Sequence, residues 1–393
     1  MMVLTTGAIE AQSTWTTCNS STTEKFVCVF MPEVNKVLVG STNGIMLMST
    51  DYGNTFSTIP LGAAEDINAL YFFNAQNGIM FFGRDFLKSS NGGLTWSFVS
   101  KLPGKPKAMH FLDPDTGFVA CDEGEAFSTF NGGNSWNALS TGVTERLEAV
   151  CFKHPADGFL GGRNNTSLRT LNMGLAFSTG VIPADGDIKD IQFVTETNGY
   201  SCGDNGEILF TGDGGSSWNV QPIPSGEPGM NALHFTDALN GWCSGEAGVI
   251  FHTSNGGTTW LNDNSNTSSE LNNIHLFDNQ HGFAVGDNGT IVRLGGSITA
   301  VSETNKGLDN FSIHPNPVRS TTTVSYSLPG KSDITFKMFG LLGNDIKTLP
   351  QGTLEAGQHK MTVDCSDLPD GIYFYALEAN GSKVKSGQLI VSR

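Results

Sequence analysis

Short apolar runs recur along the first three quarters of the chain at a nearly constant spacing. Each run predicts a strand that ends in an aromatic residue or leucine, and these end residues stand 39 to 42 positions apart. They are Phe30, Phe72, Phe111, Phe152, Phe193, Phe235 and Leu276. A glycine follows six positions after each of the last six, and a second apolar strand starts there. A period of about 41 residues built from short strands predicts a β-repeat architecture.

A polar octapeptide follows the third strand of six repeats and turns the chain into a fourth. Thr211–Trp218 is its clearest copy, and the others begin at Ser49, Ser89, Thr129, Thr170 and Thr253. An aspartate or asparagine that hydrogen-bonds the backbone two residues on starts the turn, a glycine accepts positive φ, and a final aromatic residue anchors the fourth strand. The turn residues predicted to be structural are Asp51, Gly53, Asn91, Gly93, Asn131, Gly133, Gly174, Asp213, Gly215, Asn255 and Gly257.

Four short antiparallel strands per repeat make one blade of a β-propeller, and the two ends of the repeat region decide between a closed ring and a linear stack. The seventh repeat stops at Ser297 without a final aromatic residue or a fourth strand. Trp15 stands 41 residues before the first anchor, Phe56, in phase with the other repeats. We therefore predict a seven-bladed propeller whose last blade takes its outer strand from the N-terminus.

The pattern changes after the repeats. Residues 298–310 are polar and lack apolar periodicity, which predicts a linker, and residues 311–393 hold short alternating strands separated by Gly, Pro and Asp turns. The fold prediction is therefore all-β, with a propeller over residues 13–297 and a small immunoglobulin-like β-sandwich over residues 311–393. For residues 1–12 two interpretations stay open, the remnant of a signal peptide or a disordered N-terminus.

The octapeptides resemble the Asp-box, or bacterial neuraminidase repeat, although only Asp51 and Asp213 keep the aspartate. The region from Ser13 to Ser297 resembles the propeller of the photosystem II stability and assembly factor family of plastids and cyanobacteria, which has seven repeats of this length. Both resemblances concern the scaffold, so they imply a propeller fold and no particular active site.

The C-terminal region resembles the type A sorting domain of proteins exported by the type IX secretion system of Bacteroidetes. The matching motif residues are Pro315, Asn316, Pro317, Gly343, Gly357, Gly371 and Tyr373. In this motif the prolines fix extended backbone and the glycines permit tight turns. The resemblance implies that the secretion machinery reads this domain, and that the protein passes through the periplasm to be secreted or attached to the cell surface.

Composition narrows the range of partners. The formal net charge of −16 argues against a nucleic-acid partner and leaves no basic patch for anionic lipid. No run of about 18 apolar residues occurs, so the sequence predicts no transmembrane segment. The seven cysteines show no metal-ligand spacing and are predicted to be inert buried thiols.

No set of residues matches what catalysis would need. A sialidase requires an arginine triad and a tyrosine nucleophile, and xyloglucan-cleaving enzymes of this type build their cleft between two propellers, whereas this chain predicts one. His110, His234 and His275 share one repeat position, where packing is a simpler role than metal binding. We predict no catalytic, cofactor-binding or metal site, and a non-enzymatic binding or scaffold propeller whose ligand is an extracellular protein or glycan. A secreted glycoside hydrolase of the sialidase or xyloglucanase type is the alternative.

Overall fold

The structure, a computed structural model, describes residues 14–223, 227–295, 309–316, 318–328, 330–339, 345–369, 371–379 and 382–391. The chain divides into two compact units, Met1–Ile298 and Thr299–Arg393. Residues 1–12 and 298–308, for which a terminal segment and a linker are expected, lie outside the described residues. In the described ranges the secondary structure is β-strand, apart from three short 3₁₀ turns at Asp122–Gly124, Glu246–Gly248 and Asp287–Gly289.

Seven four-stranded antiparallel sheets make up the first unit. Six of them are formed by consecutive strands, and we number them blades 1 to 6. Blade 1 contains β2 (Phe26–Glu33), β3 (Lys36–Ser41), β4 (Met46–Ser49) and β5 (Ser57–Ile59). Blade 2 contains β6 (Ile67–Phe72), β7 (Gly78–Phe82), β8 (Asp85–Ser89) and β9 (Ser97–Lys101). Blade 3 contains β10 (Pro106–Phe111), β11 (Gly117–Cys121), β12 (Ala126–Thr129) and β13 (Asn137–Leu139). Blade 4 contains β14 (Leu147–His154), β15 (Asp157–Gly162), β16 (Ser167–Thr170) and β17 (Ser178–Thr179). Blade 5 contains β18 (Ile188–Phe193), β19 (Gly199–Gly203), β20 (Ile208–Thr211) and β21 (Asn219–Val220). Blade 6 contains β22 (Met230–Phe235), β23 (Gly241–Gly245), β24 (Ile250–Thr253) and β25 (Leu261–Asp263).

Blade 7 is closed by the N-terminal strand. It contains β26 (Leu271–Asp278), β27 (His281–Gly286) and β28 (Ile291–Leu294), and its outer strand is β1 (Trp15–Cys18). Strand β1 runs antiparallel to β28, with Trp15 opposite Leu294 and Cys18 opposite Ile291. The first strands of neighbouring blades contact one another around the whole circle, from β2 through β26 and back to β2. The predicted seven-bladed propeller with an N-terminal closing strand is confirmed.

The loops of each blade lie at two opposite ends, which define two faces of the ring. At one end the turn between the third and fourth strands hydrogen-bonds the loop between the first and second, as when Gly132 N–H donates to Asp115 O at 2.9 Å. At the other end the turn between the second and third strands bonds the residue before the first strand, as when Asp204 N–H donates to Asp187 O at 3.2 Å. We call these ends the box face and the hairpin face.

The octapeptide turns, here called box turns, are built by two side chains. In all six copies the hydroxyl of the first Ser or Thr accepts the N–H of the glycine four residues on, at 2.8 to 2.9 Å. The Asp or Asn side chain also accepts the N–H four residues on, at 2.9 to 3.0 Å, and not two residues on as expected. This role of the hydroxyl was not predicted from the sequence.

Glycine in the box turn is required by both backbone and neighbour. Gly133 has φ +79°, and a Cβ there would lie 2.2 Å from Cε1 of Phe86 on the preceding blade. The apolar core lies between blades in the same way, since one cluster joins Phe81 and Phe86 of blade 2 to Phe111 and Val119 of blade 3. The packing of one blade against the next therefore requires glycine at this position of the box turn.

The strand register corrects one detail of the predicted repeat. Phe30 is the fifth residue of β2, and Tyr71 is the fifth residue of β6. On the second strands of their blades they pair with Leu38 and Ile79, which are also equivalent positions. Met31, not Phe30, is therefore the blade 1 counterpart of Phe72. The sequence marker was wrong because two large apolar residues stand side by side there and a one-residue shift exchanges the faces of a strand.

The second unit is a β-sandwich of two antiparallel sheets. One sheet contains β29 (Asp309–His314), β30 (Thr321–Leu328) and β33 (Gly357–Asp364), and the other contains β31 (Ser332–Phe339), β32 (Asp345–Leu354), β34 (Gly371–Ala379) and β35 (Ser382–Val391). The core joins Val324 and Tyr326 of the first sheet to Phe336 and Leu377 of the second. The predicted sandwich of short strands is confirmed.

The sorting motif is partly described. Pro315, Asn316, Gly357, Gly371 and Tyr373 lie in the described ranges, whereas Pro317 and Gly343 lie outside the described residues. The carbonyl of Pro315 accepts the Thr322 hydroxyl at 2.8 Å, and the Tyr373 hydroxyl donates to Pro369 O at 2.9 Å. Gly357 has φ +132°, but Gly371 begins β34 without positive φ, so it has no turn role of the predicted kind.

Candidate functional site

The first strand of every blade carries a β-bulge at the same position, close to the hairpin face. The register shifts directly after the first residue of each of these strands. The bulged residues, here called the mouth ring, are Val27, Asn68, Lys107, Glu148, Lys189, Asn231 and Asn272. A bulge re-aims its side chain, and six of these seven side chains are polar. Together they surround the hairpin-face mouth of the central channel.

A cavity of about 640 Å³ occupies this mouth. Its lining includes all seven mouth-ring residues and the hairpin-face loop residues Thr42, Asp66, Arg146, Arg163 and Glu270. Towards the box face the lining reaches Tyr71, whose ring lies 5.2 Å from that of Phe30. Phe30 lies 4.1 Å from the His275 ring, which lies 4.5 Å from the His234 ring. The cavity therefore opens on the hairpin face and meets packed rings on its inner side.

A chain of alternating charges lines one side of the mouth across blades 3, 4 and 5. Its members, in order, are Lys107, Asp122, Arg146, Glu148, Arg163, Asp187, Lys189 and Asp204, with successive N–O distances of 3.0 to 3.9 Å. Burial raises the pKa of Asp187, but hydrogen bonds from Asn164 N–H and Lys189 outweigh it and hold the pKa below its usual value. Each cation in the chain faces a carboxylate, so this side of the mouth is charge-balanced and does not form an open anion site.

Asparagines hold the opposite side of the mouth together. The Asn231 amide of blade 6 donates to Leu271 O at 3.0 Å and to Glu270 Oε1 at 3.1 Å. The Asn272 amide of blade 7 donates to Phe26 O of blade 1 at 2.8 Å. These bonds join consecutive blades, so the mouth ring also fixes the ring geometry.

A second ring lies one residue further into the channel and is built mainly of small side chains. This inner ring consists of Cys28, Ala69, Ala108, Ala149, Asp190, Ala232 and Asn273. Ala149 and Ala232 are buried in the cores between blades, and the other five line the cavity. Asp190 is its one charged member, and its two oxygens accept the N–H groups of Ile191 at 2.8 Å and Leu233 at 3.0 Å. Burial raises the pKa of Asp190 to about 6, although these two hydrogen bonds lower it.

The three histidines singled out in the sequence lie deeper and serve the blade interfaces. The Nδ1 atoms of His110 and His234 accept the N–H groups of Phe152 and Leu276 in the next blade, at 2.8 and 2.9 Å. Burial lowers the pKa of both histidines to about 4, so they are neutral acceptors at neutral pH. His275 bonds Met31 in the same way, at 3.3 Å. In the described part of the chain no group of His, Cys, Asp or Glu residues is arranged to hold a metal ion.

Asp113 and Tyr52, which are of the residue types that a glycoside hydrolase uses, lie away from this cavity. Asp113 accepts the N–H groups of Asp115 and Thr116 at 2.8 Å in a box-face loop, and the Tyr52 hydroxyl donates to Leu294 O at 2.6 Å beside the closing strand. The box-turn residues lie on the opposite face. The sequence analysis missed the mouth ring, although its signal was available as a polar residue second in an apolar strand, repeated every 39 to 42 positions.

The propeller region matches a known protein family. A family model described as "Photosynthesis system II assembly factor YCF48" matches residues 8–149, 175–262 and 221–295, which together span more than half of the chain. The chain belongs to the YCF48 family. The resemblance drawn from the repeats is confirmed, and the mouth ring is a feature of a YCF48-family propeller.

Solved structures agree with the YCF48-family fold. "YCF48 bound to D1 peptide" is 18% identical with a TM-score of 0.60, covering 75% of this chain and 99% of that one. YCF48 from Cyanidioschyzon merolae is 20% identical with a TM-score of 0.58, covering 72% and 98%. The WD40 propeller domain of Doa1 is 11% identical with a TM-score of 0.59, covering 72% and 96%. At these identities the likeness establishes the fold alone. A search of curated proteins gave no match.

The second unit of this YCF48-family chain carries an export signal. A family model described as "Secretion system C-terminal sorting domain" matches residues 312–392. The expectation of a type IX sorting domain is confirmed, and with it export to the cell surface or medium through the type IX machinery. Within the described residues, no helix has the length and apolar character needed to cross a membrane.

Proposed function

We propose that this YCF48-family protein is a non-enzymatic binding module at the cell surface, and that its ligand enters the channel mouth on the hairpin face. The ligand class is an extracellular protein or a glycan. The observation that carries the proposal is the mouth ring, in which all seven blades direct one side chain at a cavity of about 640 Å³. A concave site with convergent polar groups is the usual form of a ligand site.

Two comparisons support a binding role without catalysis. The family description names an assembly factor, and a propeller of similar fold is described as bound to a peptide. Three of the four carboxylates that line the cavity are also engaged in ways that suit structure better than glycoside hydrolysis. Glu148 lies between two arginines, Glu270 accepts the Asn231 amide, and Asp190 bonds two main-chain N–H groups.

The same proposal includes the division of the chain. We propose a propeller over residues 13–297, a linker that starts at residue 298 and ends where β29 begins at Asp309, two residues before the predicted start of 311, and a sorting domain from there to residue 393. The box-turn residues, among them Asp51, Asp213 and the glycines that follow them, then serve the fold and carry no chemistry. Catalytic, cofactor and metal roles are assigned to no residue.

A variant that fills the mouth tests the binding role. Val27 is partly buried in the cavity wall, so Val27→Trp adds bulk at the one apolar mouth-ring position. Ser97→Trp is the matched control, because Ser97 is exposed on β9, the outer strand of blade 2. The labelled full chain is applied to an array of oligosaccharides and tiled peptides. We expect binding by the wild type and by Ser97→Trp, and its loss in Val27→Trp.

Equal binding by both tryptophan variants would refute a site at the mouth. Cleavage of an arrayed oligosaccharide by the wild type would instead favour the glycoside hydrolase alternative. Export is tested separately by deleting residues 311–393, which should leave the propeller inside the cell envelope while the full chain reaches the surface or medium.

A further inference from the structure

The inner ring singles out one side chain. Five of its members are alanine or cysteine, and Asp190 is the one that carries charge. Cavity walls still further in are formed by Val29, Leu70 and Val150. Asp190 is therefore the single carboxylate at the depth of the inner ring, where the cavity lining also includes the small apolar residues Ala69 and Ala108.

The fold does not require this carboxylate to be charged. Asn273 occupies the same inner-ring position in blade 7, and its Oδ1 accepts Val29 N–H of the next blade at 3.3 Å. Asp190 makes the equivalent bond to Leu233 N–H of its own next blade. A neutral amide can therefore join two blades at this position, and the alanines of four other blades show that no acceptor is needed there.

In the described part of the chain the Asp190 carboxylate also forms no ion pair. Lys189 stands beside it in sequence but pairs with Asp187 and Asp204, both at 3.1 Å. Among the described residues no Lys, Arg or His nitrogen lies within ion-pair distance of Asp190. Burying a carboxylate without a counter-charge is unfavourable, so such a group is a candidate for recognition of a charged ligand.

We propose that the channel binds an alkylammonium group, of the kind that a lysine side chain carries, with its nitrogen against Asp190 and its methylene groups against the apolar part of the cavity lining, which includes Ala69, Ala108 and Val150. This inference rests on the proposed binding function and narrows its ligand to a protein or peptide that presents a lysine. The small apolar wall suits the alkyl stem of lysine, and the remaining lone pairs of the carboxylate suit its three N–H donors.

The test uses two probes that differ in charge. Nα-acetyl-lysine methylamide and the neutral Nα-acetyl-norleucine methylamide are added to the full chain at about 50 mM and at matched ionic strength, and the melting temperature of the propeller is followed. Since a ligand that binds only the folded state stabilises it, the lysine probe should raise Tm by about 2–4 °C and the norleucine probe should not.

Two variants assign the effect to one carboxylate. Asp190→Asn keeps an acceptor of the kind that Asn273 provides, and it should abolish the response to the lysine probe while still melting cooperatively. Asp213→Asn is the matched control, because it removes the same charge from a box turn on the opposite face, where four of the six copies already carry asparagine. It should respond as the wild type does.

Three outcomes would overturn the inference: no Tm rise of the wild type with the lysine probe, an equal rise with norleucine, or an equal rise in Asp190→Asn. None of them would overturn the proposed function. If Val27→Trp abolished binding on the array and Asp190→Asn did not, the mouth would remain the binding site and the ammonium assignment alone would fail.

Discussion

Trp15 is the residue through which the closing strand is held, and its replacement by alanine is the sharpest test of the ring. The side chain is fully buried and packs with Trp242, Leu271 and Leu294 in the core between blades 6 and 7. Its indole N–H donates to Asp263 of blade 6 at 3.2 Å. The closing strand thus contacts both blades that flank the junction.

The expected cost of Trp15→Ala follows from these contacts. Truncating a buried tryptophan to alanine costs about 3–5 kcal/mol. Trp15→Phe keeps most of the packing and removes the hydrogen bond, so about 1–3 kcal/mol is expected for leaving the buried Asp263 with one partner fewer. Asp263 retains His252, whose ring nitrogen lies 2.7 Å away. The alanine variant should lower the propeller Tm by on the order of 10 °C.

Hydrogen exchange shows where the variant loses stability. In Trp15→Ala, exchange should quicken in β28, because the loss of β1 exposes its outer edge. Trp96→Ala is the matched control, since Trp96 holds the anchor position of blade 2, is only partly buried and bonds Gly93 O of its own turn. If Trp15→Ala were no more destabilising than Trp96→Ala, or left β28 exchange unchanged, the account of ring closure would be wrong.

Three further changes probe the channel and the turns. Burial lowers the pKa of His110 to about 4, whereas the value in the unfolded chain is about 6.5. The free energy of unfolding should therefore fall as the pH drops from about 6.5 to about 4, by up to about 1.4 kcal/mol per pH unit. His110→Gln copies Gln192 of blade 5 and should make this fall smaller, as measured by urea midpoints at several pH values. Glu148→Gln should cost about 1 kcal/mol at low salt and less in about 1 M NaCl, since it removes the carboxylate between Arg146 and Arg163 at a partly exposed mouth and leaves each arginine with one carboxylate, Asp122 or Asp187. Gly133→Ala should destabilise by about 1–3 kcal/mol more than Gly142→Ala in thermal melts, because both have positive φ but an added Cβ finds open space only at Gly142.

The blade count could be predicted because it depends on periodic residues that the core demands. Each repeat must bury one anchor between blades, and Trp15, out of place in sequence but in phase, revealed the closure. Strand β32 is not evident from the sequence because it contains Pro350, and proline argues against a strand unless the strand lies at a sheet edge, as β32 does. The sandwich was still recognisable from the alternation in β30 and β31.

The candidate site could be predicted much less well. A bulge is a property of register between two strands, so the re-aimed mouth-ring side chains are not evident from alternation alone. The bonds from Asp190 to Leu233 and from His110 to Phe152 join residues about one repeat apart, and they exist because the ring brings successive first strands together. Sequence could mark these polar residues, but it could not assign their partners.

The repeats themselves suggest where function resides in this ring. Positions that every blade needs for packing keep one residue type, as the box-turn glycines do, and they exclude chemistry for the same reason. Five of the seven inner-ring residues line the channel cavity, and the residue type at this position varies among the blades while the repeat is kept. In blade 5 this position carries Asp190, where the neighbouring blades 4 and 6 carry alanine. A residue that the fold tolerates but does not require, set in a cavity that seven blades line, is the expected location of recognition.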